Sequence, residues 1–476
     1  MQVETELFKP NSKRAVRDRD LQARLRVLNG FVFKRNAAFA ELEQGEALRD
    51  RARAIKEKTI ARLDHYLVRL EESVARAGGA VHWARTGEEA REIILDIARR
   101  NGVRRVVKSK SMVTEEIDLN EALGRAGIEA VETDLGEYIV QLAGERPSHI
   151  LAPAIHKSKG DISDLFADKL GAVNLVEAEE LTAVARKQLR QNFCTADMGV
   201  TGANFAVAET GTVALVENEG NIRLSTTLPR IHVAVMGVEK VIPSLADLAV
   251  FLRILARSAS GQKMSSYVSL ITGPRREGET DGARQFHLVI LDNGRTRILA
   301  DDEKRESLYC LRCGACLNVC PVYQKIGGHA YGSVYSGPIG SIITPQLVGL
   351  GRAIDLPFAS SLCGACREIC PVKINIPRIL LSLRSDWARR ASDGRKGDRR
   401  GAPSLIERLA FKAWAFAMRH KTVYNLVFRL PALFQGPLLK DGKLDRLPFI
   451  FSAWTENRDF PPLAAKSFRR MWRDGM

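Results

Sequence analysis

Seven of the chain's eight cysteines fall between Cys310 and Cys370. The first run is Cys310-Leu-Arg-Cys313-Gly-Ala-Cys316-Leu-Asn-Val-Cys320-Pro321. This C-x2-C-x2-C-x3-C-P spacing is the one that holds cubane iron–sulfur clusters. Three thiolates two residues apart wrap a tight turn around one cluster. Gly314 and Ala315 let the backbone come close, and Pro321 turns the chain away. A second run, Ser360-Ser-Leu-Cys363-Gly-Ala-Cys366-Arg-Glu-Ile-Cys370-Pro371, repeats the pattern with serine in the first position.

Two such runs imply two clusters, the fourth cysteine of each crossing to the other. One [4Fe-4S] cluster then takes Cys310, Cys313, Cys316 and Cys370. The second takes Cys320, Cys363 and Cys366 and is one thiolate short. Ser360 oxygen, water or another residue could complete it, or the site could hold [3Fe-4S]. Cys194 stands alone and reads as a small buried apolar residue, a remote ligand being the minor alternative. Zinc and structural disulfides fit the spacing poorly. Two adjacent clusters favour electron transfer over a structural staple. The 42 residues between Cys320 and Cys363 exceed the needs of a compact β-type ferredoxin. They suggest an α-helical ferredoxin module.

The rest of the chain must position this module. A length of 476 residues calls for two or three domains. Charged and apolar residues interleave at helical spacing up to Gly78-Gly79, so residues 1–77 read as a helical segment, a solvated arm packed on the next domain. Strand and helix signals alternate through 78–295, which predicts α/β with a largely parallel sheet. Strands are expected near Val106, Ile128–Val131, Phe205–Ala208, Thr212–Val216, His232–Gly237 and Phe286–Leu291. Thr86 and Ser244 look like helix caps. The two-cluster domain spans 300–385. A linker is expected after Trp387, and a last helix opens at Ser404 within a basic, aromatic region, 386–476.

The α/β region offers weaker chemical candidates. The segment from Met198 to Thr212 places Gly199, Gly202 and Gly211 at turn positions. It could cradle an anion on backbone N–H groups or simply make tight turns and close packing. Glu209 is the one weak catalytic candidate, with Arg230 and His232 as companions. His232 on a predicted strand also reads as a core histidine. Lys108-Ser-Lys-Ser111 follows a strand, where open α/β sheets bind ligands. No dinucleotide fingerprint is present.

The glycine segment followed by LPRIHVAV, then CLRCGACLNVCPVYQKIGGHAYG and SSLCGACREICPVKI, resembles the lactate utilisation protein B family. The resemblance implies an α/β domain with a CoA-transferase/isomerase-like sheet, then the two-cluster module and a family-specific C-terminal region. It implies an electron-carrying iron–sulfur subunit acting with two partner proteins in oxidation of L-lactate to pyruvate. Serine at 360 agrees with the family pattern. An iron–sulfur subunit of another 2-hydroxyacid dehydrogenase, such as one for glycolate, would use the same cysteines. Rival classes are a catalytic α/β domain and a nucleic-acid-binding cluster protein.

The net charge of +16 first suggests nucleic acid. Its distribution argues otherwise. Residues 381–476 hold 20 Lys and Arg against 9 Asp and Glu, with four of the five Trp and eight of the 18 Phe. Arg408, Lys412 and Arg419 share one helix face there, with Phe411, Trp414, Phe416 and Met418 around the rest. Such a segment suits an acidic redox partner or an anionic membrane surface. The N-terminus lacks a secretory h-region. The longest uncharged window, Tyr331–Gly351, contains five Gly and two Pro and is a poor transmembrane helix. The expected compartment is cytoplasmic, with peripheral attachment to the membrane's inner face allowed.

Overall fold

The computed structural model describes residues 3–173, 175–392, 405–447, 452, 455 and 459–475. It divides into two units, Met1–Arg400 and Gly401–Met476. The expected N-terminal arm is five successive α-helices: Phe8–Arg17, Arg19–Leu25, Val27–Ala40, Gly45–Ala61 and Leu63–Arg76. Asp18 ends the first and caps the second through the Leu21 amide. These helices are not a solvated arm. Leu28, Ala52, Leu70 and Val74 are fully buried in the main apolar core, which also contains residues of the sheet and of the cysteine region. Arg49 reaches the carbonyls of Glu368 and Cys370 at 2.5 and 2.7 Å. Ser73 Oγ donates to the Ala208 carbonyl at 2.9 Å.

Ten strands follow: β1 Ala80–Ala84, β2 Arg105–Lys108, β3 Glu129–Glu132, β4 Met198–Thr201, β5 Phe205–Val207, β6 Thr212–Glu217, β7 Ile231–Gly237, β8 Val241–Ile242, β9 Tyr267–Ile271 and β10 Gln285–Leu291. Six make one parallel sheet in the order β1-β10-β7-β4-β2-β3. The other four form a mixed sheet, β8-β5-β6-β9. Covered parallel strands read as continuous apolar runs, and β7 is buried throughout. Ile231, Val233 and Val235 join Ile94 and Ala98 of helix Gly87–Arg100 in one apolar cluster. Ala234 and Met236 point to the opposite face, into the main core.

Thr86 and Ser244 cap their helices, accepting from the Glu89 and Asp247 amides, each at 3.2 Å. Gly199 is not a turn but lies inside β4. A Cβ there would sit 1.8 Å from the Ser225 carbonyl oxygen, so glycine lets helix Asn221–Thr227 pack directly on the strand. Gly211 does sit in a turn, at φ 72°.

The helix Ile376–Ser392 runs through the start of the expected linker. Ser404 and residues 393–403 lie outside the described residues. In the second unit, helices Leu405–Arg419 and Lys421–Phe434 pack together, and a short hairpin, Leu439–Lys440 with Lys443–Leu444, follows in the chain. Phe411, Trp414 and Phe416 are exposed there; Arg408 has no described side chain. Among the described residues, no helix is long and apolar enough to cross a membrane.

Candidate metal centre

In both cysteine runs the chain follows one path. Arg312 and Leu362, just before the second cysteine position, have φ of 63° and 56°. Gly314 and Gly364 follow at 77° and 87°. Left-handed backbone is free for glycine and costs another residue about 1–3 kcal/mol, so the two loops spend strain at matching places. Short helices Ala315–Asn318 and Ala365–Ile369 come next, carrying Cys316 and Cys366. The Arg312 amide donates to Cys310 Sγ at 3.4 Å, and the Leu362 amide to Ser360 Oγ at 3.1 Å. Past each run, the Tyr323 amide meets Cys320 Sγ at 3.5 Å and the Ile374 amide meets Cys370 Sγ at 3.4 Å.

The thiols interact mainly in two groups, which touch where Cys316 also meets Cys366. Burial first, then the proximity of Cys310 and Cys370, pushes the Cys313 thiol up to about 12. Cys316 is raised by burial and by Cys310, Cys313, Cys366 and Cys370. Burial also raises Cys370, to about 11, with Cys310 as its thiol neighbour. The second group joins the runs the other way. Cys366 is pushed up to about 12 by burial and by Cys320 and Cys363, and Cys320 is raised by burial and by Cys363. Such thiols stay protonated on their own and give up protons to a bound metal.

The donors fit iron–sulfur clusters. All are soft sulfur ligands, and backbone amides already face Cys310, Cys320 and Cys370. The buried cations Arg312, Lys240 and Lys56 interact electrostatically with Cys310. Burial lowers Lys240 to about 8 and Lys56 to about 7, with Cys310 and Glu239 opposing the shift. Negative charge on a thiolate-held cluster would be met by these groups.

A charged hub ties this region to the sheet. Arg295, fully buried, donates to Glu116 through Nη1 at 2.9 Å and Nη2 at 2.7 Å, and to Glu239 through Nε at 2.7 Å. Tyr335 donates to Glu116 at 2.5 Å. Arg312 reaches the other Glu239 oxygen at 3.5 Å and stacks over Tyr335. Burial alone would raise Glu239, but Arg295, Arg312 and Lys240 outweigh it and pull its carboxyl down to about 2.

The weaker candidates separate. Glu209 is exposed and accepts from the Leu245 amide at 3.2 Å, at a helix start. Arg230 is exposed and bonds the Asn101 carbonyl. His232 is a core histidine: it pairs with Thr201 Oγ1 at 2.8 Å, and burial followed by His287 lowers it to about 3. Lys108 is buried in ion pairs with Glu115 and Glu132 at 2.8 and 2.7 Å. Ser109, Lys110, Ser111 and Gly202 instead line a cavity that Arg312 and Cys313 also border. Cys194, expected to be buried, is exposed. Its helix buries Leu181, Ala185, Leu189 and Phe193, and Cys194 falls off that stripe. Arg312 and Lys240 escaped the motif reading. Only the place of Arg312 inside the first run hints at its role, and nothing in the spacing hints at Lys240.

Comparisons with known proteins agree with this architecture. Residues 67–291 match the LUD domain, 306–374 a 4Fe-4S dicluster domain, and 382–476 the family described as Lactate utilisation protein B, C-terminal. The chain is therefore an iron–sulfur protein with a LUD domain ahead of its cluster domain. It is 46% identical over 442 residues to Lactate utilization protein B of Bacillus licheniformis, covering 93% of this chain and 91% of that one. The corresponding protein of Bacillus subtilis is 45% identical, covering 93% and 90%. The chain belongs to the lactate utilisation protein B family. A crystal structure of a DUF162 family protein from Deinococcus radiodurans aligns with 48% of this chain and 98% of its own, at TM-score 0.26 and 15% identity.

Proposed function

We propose that the chain is the iron–sulfur electron-transfer subunit of a system that oxidises L-lactate to pyruvate. Membership in its family supports this reading, and the observation that carries it is the pair of matching cysteine loops, whose short helices Ala315–Asn318 and Ala365–Ile369 pack on each other. In this reading a helical segment, 1–77, and an α/β domain, 78–295, precede the ferredoxin-type domain, 300–385. The basic aromatic region is 386–476. Cys310, Cys313, Cys316 and Cys370 hold one [4Fe-4S] cluster. Cys320, Cys363 and Cys366 hold the second, with Ser360 standing at the fourth position.

Oxidation of lactate to pyruvate releases two electrons and two protons. Each bound cluster would supply storage for one electron. The chain's own groups keep that storage buried and electrically balanced. Arg312, Lys240 and Lys56 face the first thiol group, and Arg49 holds the backbone at Cys370. The lactate-oxidising centre is assigned to a partner, two further subunits completing the system. The basic C-terminal region, with its exposed Phe411 and Trp414, suits docking to an acidic redox partner or an anionic membrane surface. The test is anaerobic reduction of the clusters by L-lactate, followed by their visible absorbance. Bleaching should require the partner subunits. Bleaching by lactate with this chain alone would make it a complete enzyme, and none with every partner present would remove the reading.

A further inference from the structure

After β2 the chain moves to β3 on one side; from β4 it moves to β7 and β10 on the other. Open α/β sheets bind ligands in the crevice at such a divide, beyond the carboxyl ends of the strands. A cavity of about 240 Å³ lies here. Ser109 and Asn204 line it from the loops after β2 and β4, Asn221 from the start of its helix, and Arg312 and Cys313 from the first cysteine run; Lys240 borders it too. It is smaller than pockets for drug-sized ligands, which begin near about 300 Å³.

Its polar groups want an anion with oxygen atoms. Lys240 is buried and borders the cavity. Arg312 spends Nη2 on Glu239, while its buried Nη1 has no partner. Ser109 Oγ is also buried without a partner. Three acidic side chains line the cavity, and each has a partner; Glu219 accepts from the Asn218 amide at 3.2 Å. Asp134 pairs with Lys110 at 3.4 Å. Glu217 accepts from the Ile222 and Arg223 amides at 2.6 and 2.8 Å. Leaving such donors dry is unfavourable, most of all for a charged group.

We propose that this cavity binds a small carboxylate of the 2-hydroxy- or 2-oxo-acid class beside Cys313, the carboxylate on Lys240 and Arg312 and the second oxygen function on Ser109. The class of acid rests on the proposed role in lactate oxidation; the demand for an oxyanion does not. A ligand here adds negative charge next to the first cluster, so occupancy should be visible in that cluster's spectrum.

The experiment is anaerobic calorimetry on the cluster-loaded protein with L-lactate, pyruvate, acetate and inorganic phosphate, with electron paramagnetic resonance of the reduced protein alongside. Lactate or pyruvate should bind with a dissociation constant of about 1 mM or tighter and shift the first cluster's resonance. Ser109→Ala should weaken binding several-fold at unchanged iron content, and Lys240→Met, whose ammonium also faces the first thiol group, should weaken it at least tenfold per cluster-loaded chain. No binding of either acid, equal binding by the variants, or tighter binding of phosphate would overturn the proposal. The two readings fail separately. Lactate-dependent reduction through partners without carboxylate binding removes the pocket alone; binding without such reduction removes the carrier role alone.

Discussion

Ser360 Oγ accepts a hydrogen bond from the Leu362 amide at 3.1 Å, the place in its loop that Cys310 Sγ holds opposite the Arg312 amide. An oxygen thus occupies the first ligand position of the second run. Oxygen binds iron less firmly than thiolate in such a set, so one iron of the second cluster should be labile. Brief exposure to air should give a three-iron resonance in the native protein and little or none in Ser360→Cys. An equal signal in both would show that Ser360 does not stand at the labile corner.

The crossing of the runs makes a sharper expectation. Cys370 belongs to the second run by sequence, yet its thiol neighbour is Cys310. Cys370→Ala should therefore lose the same paramagnetic signal as Cys310→Ala. Cys363→Ala should lose the other one. A Cys370→Ala protein that resembles Cys363→Ala would mean each run holds its own cluster.

Arg295 lies between Glu116 and Glu239, all three fully or almost fully buried. Removing one partner of a buried ion network leaves uncompensated charge and costs about 3–5 kcal/mol. Arg295→Met should lower stability by that order in chemical unfolding of the cluster-loaded protein. A loss under about 1 kcal/mol, the range of exposed pairs, would show that the hub is not what ties sheet to cysteine module.

His232 gives an acid dependence. Burial, then His287, lowers its folded pKa to about 3, against about 6.5 unfolded. The unfolded state binds the proton first as pH falls. The stabilisation is therefore whole above pH 6.5 and is lost progressively toward the folded value. The drop in urea midpoint from pH 7 to pH 5 should be smaller in His232→Gln than in the native protein. Equal drops would assign the acid sensitivity to other groups.

The cysteine spacing made the metal chemistry readable, because ligand geometry is local: three positions in seven residues wrap one site. The parallel sheet was readable where strands are apolar runs, as in β7 and β10. β4 was missed because Gly199 looks like a turn, whereas its purpose is contact with Ser225, which no local pattern reveals. The N-terminal helices looked like one arm because charged and apolar residues keep interleaving across the break at Arg62. Arg49 meets Cys370, and Lys240 meets the first run, only through the fold. Contacts between residues so far apart leave no trace in spacing, so the buried cations around the thiols and the cavity at Cys313 became visible only in three dimensions.

The central claim, two cross-held clusters on seven thiols, is tested most directly by iron and sulfide counting on anaerobically purified protein, with paramagnetic resonance to separate the signals. The ligand sets call for about seven or eight irons per chain, in two distinguishable clusters. Fewer than about six irons, or a single signal, would contradict it.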